Sequence, residues 1–197
     1  MVTPTADPAP VNDERRDRSV ASPGATVDRF DSARVRIADE IVEQVDLAQG
    51  QGLFGLARRA GLDDEAAEDA VQETLVRLWL EVRSGTDILN PPAWSFRTLY
   101  RIAMDQHRLR RRVRELVERI GRRPPPPATD PVQQMTIWSL VDRLPLRQRQ
   151  VMYLRYRADM TFEEIGVVMA ITPSGARAHV VKASATLRRS LGPILMD

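Results

Sequence analysis

Apolar residues recur at helical spacing along most of this chain. Between residues 66 and 82, Val71, Leu75, Leu78, Trp79 and Val82 fall at i, i+4, i+7, i+8 and i+11. That is one buried stripe on a helix with a period of 3.6 residues. Asp63, Asp64 and Glu65 precede it, where negative charge complements the free N–H groups of a helix start. Helical periodicity begins near Val27, is loosened by Gly50, Gly52 and Gly55, and resumes over residues 53–60 before Gly61-Leu62-Asp63-Asp64. Residues 83–92, with Ser-Gly-Thr-Asp and Asn-Pro-Pro, are turn material. A further helix is predicted over residues 93–120. Gly121-Arg122-Arg123 and the prolines 124–127 end it, and four prolines favour an extended segment rising about 3.1 Å per residue. Helices resume near Val132, break at Pro145, Asp159 and Ala170, and stop at Gly192-Pro193. Strand-like alternation bounded by hairpin turns is absent, so the predicted fold class is all-α.

The last two helices form a unit. Thr161-Phe162-Glu163-Glu164 is a capping box, with Thr161 as N-cap and Glu164 reaching back from the third helical position. Three residues, Ala170-Ile171-Thr172, then separate it from a second helix that begins at Pro173, with Thr172 as N-cap and proline at the first helical position. Ala176, Val180, Ala183 and Leu187 give the second helix an inward stripe. Ser174, Arg177, Ala178, Val181 and Lys182 face outward, with His179 at the margin, where it is either a phosphate contact or simply solvated. Two capped helices, a short turn and a basic second helix describe a helix-turn-helix, whose second helix enters the major groove of DNA. Arg177 and Lys182 have the donors to bond guanine edges or phosphates.

Charge agrees with a polyanionic partner. The net charge of +2 conceals 10 Arg against 18 Asp and Glu in residues 1–90, and 19 Arg and Lys against 9 Asp and Glu in residues 91–197. Lys182 is the one lysine; the arginine bias suits phosphate and guanine recognition and equally fits a GC-rich genome. With no cysteine, disulfides and thiolate metal sites are excluded. Residues 1–27, rich in Pro, Ala, Asp and Arg, are expected to be disordered. No apolar run approaches the roughly 18 residues of a membrane helix and no apolar signal core opens the chain, so a cytoplasmic location is expected.

A second pattern lies on the 66–82 helix. Asp69, Gln72, Glu73, Val76 and Leu80 share a face offset from the buried stripe and mix acids, an amide and aliphatics. Such a face is either solvated or a docking surface for a partner helix. Here the chain resembles a known family. Ala57-Arg58-Arg59, Glu68-Asp69, Val71-Gln72-Glu73 and Arg77-Leu78-Trp79 are similar to region 2 of the extracytoplasmic-function (ECF) subfamily of bacterial sigma-70 factors. Ala93-Trp94, Arg97, Asp105 and Arg110-Arg111-Arg112 resemble the helix that follows. Leu144-Pro145, Arg147-Gln148-Arg149, Val151, Leu154-Arg155-Tyr156, Glu163-Glu164-Ile165, Gly175 and Ala183 resemble region 4. The likeness covers residues 50–191.

The resemblance implies two small helical domains, a region 2 bundle over residues 28–120 and a region 4 helix-turn-helix over 135–197, joined by a flexible Pro-rich linker at 121–134. It implies a non-enzymatic protein without cofactor or metal that binds core RNA polymerase and promoter DNA and helps to open the duplex. Asp69, Gln72, Glu73, Val76 and Leu80 would meet the clamp helices of the largest subunit. Asn90, Trp94, Arg97, Arg101, Asp105, Arg108, Arg110, Arg111 and Arg112 would handle the −10 element, with the 83–92 loop taking a flipped base. Ser174, Arg177, Ala178, His179, Val181 and Lys182 would read the −35 element, and region 4 would touch the flap of the second large subunit. An anti-sigma partner is a habit of the family. The chain departs from it at Arg101, where the gapless register usually has Asn (a second register begins at Leu99). It departs at Ala178 in the recognition helix, and at Arg122, Arg123 and the prolines of the linker, where acids are frequent.

The rival reading is a helix-turn-helix regulator that binds duplex operators without polymerase, since Leu-Pro-x-Arg-Gln-Arg-Gln-Val opens both kinds of domain. The Asp-x-x-Gln-Glu…Trp segment and the Arg-rich helix after it weigh against that. A metal or hydrolytic enzyme is disfavoured: His107 and His179 are the only histidines, and no Gly-rich phosphate loop is present.

Overall fold

The computed structural model describes residues 23–119 and 137–191, with side chains from Ser32 onward. Residues 1–22, most of the expected N-terminal extension, and the whole of the 121–134 linker with its prolines lie outside the described residues. Seven helices follow in order: α1 (Pro23–Arg59), α2 (Asp64–Arg83), α3 (Pro91–Arg119), α4 (Ile137–Asp142), α5 (Leu146–Tyr156), α6 (Phe162–Met169) and α7 (Pro173–Leu191). Among the described residues there is no strand, in line with the all-α expectation.

Local chemistry sets the boundaries. At the end of α1, the Leu62 N–H bonds the Ala57 carbonyl and the Gly61 N–H bonds that of Arg58. Gly61 has φ +94° and Leu62 is buried. This is a Schellman stop, which needs a left-handed residue that glycine adopts without strain. Asp63 then caps α2 at once, its carboxylate accepting from the Ala66 N–H at 2.9 Å. Helix α2 stops in the same way as α1, with Gly85 at φ +92° and the Thr86 N–H on the Glu81 carbonyl. Asn90 caps α3, accepting from the Ala93 N–H at 3.0 Å, and Pro91 follows at the first helical position.

Helices α1, α2 and α3 pack as a bundle around Leu53, Leu56, Leu62, Leu78, Phe96 and Leu99, all but excluded from solvent. Trp79, expected in the stripe, lies at its edge and donates its indole N–H to Asp39 at 2.8 Å. The second half of α3, from Asp105, extends past the bundle with most side chains exposed. Helices α4 to α7 enclose Val141, Leu144, Val151, Leu154, Ile165, Val168, Ala176 and Ala183.

One sequence expectation takes a different form. The glycines at 50, 52 and 55 do not loosen α1, which runs unbroken through them. Two of them are where other helices press closest: a Cβ at Gly52 would lie 3.2 Å from the Phe96 ring on α3, and one at Gly55 would overlap the Tyr153 hydroxyl on α5. Their missing side chains admit neighbours, at a helix-propensity cost of roughly 0.5–1 kcal/mol each. Through Tyr153 the second group of helices sits directly on the first, α5 against α1 and α6 against α3.

Candidate functional surfaces

Helix α2 presents the first surface. Val71, Leu75, Leu78 and Val82 are buried, which turns Asp69, Gln72, Glu73, Val76 and Leu80 outward together. Val76 and Leu80, one turn apart, keep 56% and 52% of their surface in water. Glu73 is paired with Arg77 one turn along. The strip is therefore two exposed aliphatics behind an acidic and amide edge.

The second surface joins the end of α2 to the start of α3. Arg77, Leu80, Glu81, Ser84, Trp94, Arg97, Thr98 and Arg101 line a groove of about 480 Å³. Trp94, Arg97, Arg101, Asp105, Arg108 and Arg112 follow one another at three- or four-residue steps along α3, so they share a face. Of the expected basic set, Arg97 and Arg101 reach the groove. Arg108 pairs with Asp105 at 2.8 Å, Arg111 with Glu115 at 2.8 Å, and Arg110 crosses to Asp63 at 3.1 Å. Arg112 is exposed. Arg110 therefore also fastens α3 to the cap of α2. Its charge, after the Ala66 N–H bond, helps to hold the Asp63 carboxyl below its ordinary pKa. Asn90 has a structural task as the cap of α3, beside Leu89, which is 92% exposed at the loop tip. The sequence reading names Arg77 only within the region 2 likeness and does not single out Glu81, Ser84, Thr98 or Leu89. Leu89 alone carried a usable signal, a large apolar residue inside turn material with nothing to bury it.

The third surface is the helix-turn-helix. Both halves of the capping box form: the Glu164 N–H reaches the Thr161 hydroxyl at 3.2 Å, and the Thr161 N–H reaches the Glu164 carboxylate at 2.8 Å. The turn depends on Gly166, whose carbonyl accepts from the N–H groups of both Ala170 and Ile171 while Ala170 takes a left-handed φ of 53°. Thr172 caps α7 through the Gly175 N–H at 3.1 Å. Ser174, Arg177, Ala178, Val181 and Lys182 are exposed along α7 as expected. The Arg177 guanidinium lies 4.9 Å from the centroid of the Phe162 ring, which restrains it at the entry to α7. His179 is half-buried and its Nδ1 has no partner. Burial, then the charges of Arg147 and Lys182, push its pKa below the ordinary value, so it stands neutral at pH 7.

Among the described residues, no group of three or more His, Asp or Glu is arranged to hold a metal ion. The acidic run at residues 63–69 is partly engaged, Asp63 as cap and Asp64 with Arg58 at 2.7 Å. No described helix is long and apolar enough to cross a membrane.

Comparison with known proteins finds two family matches. Residues 48–115 match Sigma-70 region 2, and residues 134–187 match Sigma-70, region 4. Among solved structures, the fold is similar to CnrH in complex with the cytosolic domain of CnrY (TM-score 0.55, 21% identity, 83% of this chain and 96% of that one). It is also similar to the sigma factor RpoE in complex with the anti-sigma factor NepR from Bartonella quintana (TM-score 0.59, 22% identity, 76% and 96%). No curated protein sequence matches the chain.

Proposed function

The chain belongs to the sigma-70 family, and from its three surfaces we propose how it acts as an alternative sigma factor of the ECF type. It binds core RNA polymerase and directs it to promoter DNA, as its two sigma regions require. The layout supports the ECF reading. Only residues 116–133 separate the matched regions, too few for a further domain, which needs about 50 residues or more.

In this reading the α2 strip docks on polymerase. Val76 and Leu80 give up water-exposed apolar surface to a partner helix, while Asp69, Gln72 and Glu73 set its register through polar contacts. The groove between α2 and α3 receives an unstacked base of the −10 element. Trp94 offers a stacking face and Arg97 and Arg101 attract the backbone, the combination that retains single strands. Helix α7 enters the major groove at the −35 element with Arg177 and Lys182 toward bases and phosphates. The two solved neighbours support a further partner for this chain, an anti-sigma factor, and its place of action would be the cytoplasm.

The observation that carries the proposal is the exposed Val76–Leu80 strip on a chain that also bears a complete helix-turn-helix. A regulator that acts on duplex operators alone would not need the region 2 match that carries this strip. Transcription with purified core polymerase on promoters carrying −35 and −10 elements tests this. The chain should confer start-site selection, and Trp94→Ala should impair duplex opening more than initial binding. Tight operator binding without polymerase, and no start-site selection with it, would favour the regulator instead.

A further inference from the structure

Helix α3 runs on past the bundle that buries its first half, and its free part is amphipathic. Leu109, Val113 and Leu116 fall at i, i+4 and i+7 and are 61%, 52% and 60% exposed. Arginines border this stripe on both sides, Arg112 on one and Arg110 and Arg114 on the other. Residues 108–116 hold five Arg and one Glu, a balance of 5 − 1 = +4. Phosphates account for the arginines but give no reason for an aliphatic stripe between them. Contiguous apolar surface framed by charge marks a site where another macromolecule settles.

The first half of α1 carries the complement. Ile37, Glu40, Gln44 and Leu47 fall at i, i+3, i+7 and i+10 with Glu43 beside them, and Ile37 and Leu47 are 50% and 81% exposed. Residues 37–47 hold four acids and no base, a balance of −4. Glu40, Glu43 and Asp46 on this face, and Arg112 and Arg114 on the other, form no ion pair with a described residue. One chain cannot bring the two faces together. A Cβ at Gly52 would lie 3.2 Å from the Phe96 ring and one at Gly61 would lie 3.1 Å from His107, so α1 and α3 run side by side in the same direction. Residues 37–47 come before that shared stretch and residues 108–116 after it. At about 1.5 Å per residue, the centres of the two faces are about 35 Å apart along the bundle.

We propose that the Leu109–Leu116 stripe of α3 docks on the 37–47 face of α1 in a second copy of this chain. That face offers the equal and opposite charge with aliphatics at helical spacing, whereas stripe against stripe would set arginines against arginines. The contact is heterologous: each copy keeps an acidic face free at one end and a basic stripe free at the other, so copies add head to tail. Two helical segments of this length bury less than the about 1,200 Å² of a standard interface, which sets the Kd at roughly 10–100 µM. Docking covers Arg112, so a copy held through α3 has part of its −10 face obstructed. That consequence rests on the sigma-factor reading; the association does not.

Sedimentation equilibrium of the full-length chain from about 5 to 500 µM tests this. The weight-average mass of the parent should rise past that of a dimer. Leu116→Ser, the pair Glu40→Arg with Glu43→Arg, and the pair Arg112→Glu with Arg114→Glu should each weaken association about tenfold or more. Far-ultraviolet circular dichroism should not change, because all five positions are exposed. The two charge-reversed chains, mixed, should recover a one-to-one pair, since one keeps its stripe and the other its acidic face. A parent that stays monomeric throughout overturns the proposal, whether the stripe is covered by the chain's own residues or serves a different protein. Undiminished association of Leu116→Ser, or a mixture of the reversed chains that stays monomeric, overturns it equally. Promoter DNA carrying both elements should dissociate the parent assembly, and an assembly that persists with DNA bound overturns the obstruction of the −10 face. A parent that self-associates as stated but confers no start-site selection on polymerase overturns the sigma-factor reading and leaves this surface standing.

Discussion

Two glycine-to-alanine changes with the same chemistry should move stability in opposite directions. Gly50 lies within α1, and a Cβ there would meet the Asp46 carboxylate at 2.8 Å, the free end of an exposed side chain that can rotate away. Gly166 lies within α6, and its Cβ would meet the Ile171 carbonyl oxygen at 2.8 Å. That oxygen is backbone in the turn that sets α7 against α6, and the turn is held by two N–H bonds to the Gly166 carbonyl. Helix propensity favours alanine at both sites by about 0.5–1 kcal/mol. At Gly50 nothing opposes that gain. At Gly166 overpacking costs about 1–3 kcal/mol, leaving a net loss of roughly 0.5–2 kcal/mol. A chain of this size shifts its Tm by about 2–4 °C per kcal/mol. Gly50→Ala should therefore melt about 1–4 °C above the parent and Gly166→Ala about 1–8 °C below it, followed by circular dichroism. Because the displaced turn aims the recognition helix, Gly166→Ala should also lose −35-dependent transcription while retaining polymerase association. A Gly166→Ala protein that melts at or above the parent would refute the steric reasoning, and one that destabilises without touching −35 dependence would refute the link to the recognition helix.

Arg177→Ala should weaken binding to a −35-containing promoter by about 5–150-fold, the worth of a base contact of 1–3 kcal/mol, with core association unchanged; equal transcription from the cognate promoter would dismiss its assignment. Glu73→Ala should weaken core association, measured by titrating labelled factor with polymerase, and leave the unfolding free energy within about 0.5 kcal/mol of the parent because the residue is exposed; unchanged affinity would remove Glu73 from the docking strip. His107 has its pKa lowered from 6.5, first by burial and then by Arg149, Arg114, Arg111 and Arg110. The native state therefore binds fewer protons than the unfolded one, so stability is held above pH 6.5 and falls as the pH drops from there toward the folded pKa. His107→Gln should flatten that part of the denaturation profile, and an unaltered slope would show that His107 does not contribute it.

The helices were legible because their punctuation is local. Asp63, Thr161 and Thr172 stand as caps where capping chemistry puts them, and Gly61 ends α1 through a bond pattern confined to six residues. The outward sets on α2 and α7 followed from helical period alone. What the sequence could not disclose depends on contacts distant along the chain. Gly52 and Gly55 read as weak points of a helix, because Phe96 and Tyr153, which occupy their empty space, lie 44 and 98 positions further on. Arg110 reads as a −10 contact, and its pairing with Asp63, the cap of α2, lies 47 positions away and is invisible to local pattern. Asn90 read as a −10 residue, and the local cap it forms went unnoticed although Asn-Pro is itself a helix-start signal.

The packing of the second group of helices on the first does not follow from gross charge. Residues 23–119 carry 15 Arg against 17 Asp and Glu, and residues 137–191 carry 9 Arg and Lys against 4, so long-range attraction would draw the first body's acids to the second body's bases. At the interface the signs run the other way. The first body contributes the cation Arg59 and the second the anion Asp142. The remaining contacts are a hydroxyl and a guanidinium on backbone carbonyls, ring packing, and a glycine gap. Shape and short-range hydrogen bonds therefore select this pairing, and they are screened far less by salt than exposed charges separated by a Debye length of about 10 Å. The phosphate contacts proposed for α3 and α7 would depend on salt through counterion release. Raising ionic strength should thus weaken DNA binding while leaving the packing of α5 on α1 nearly intact.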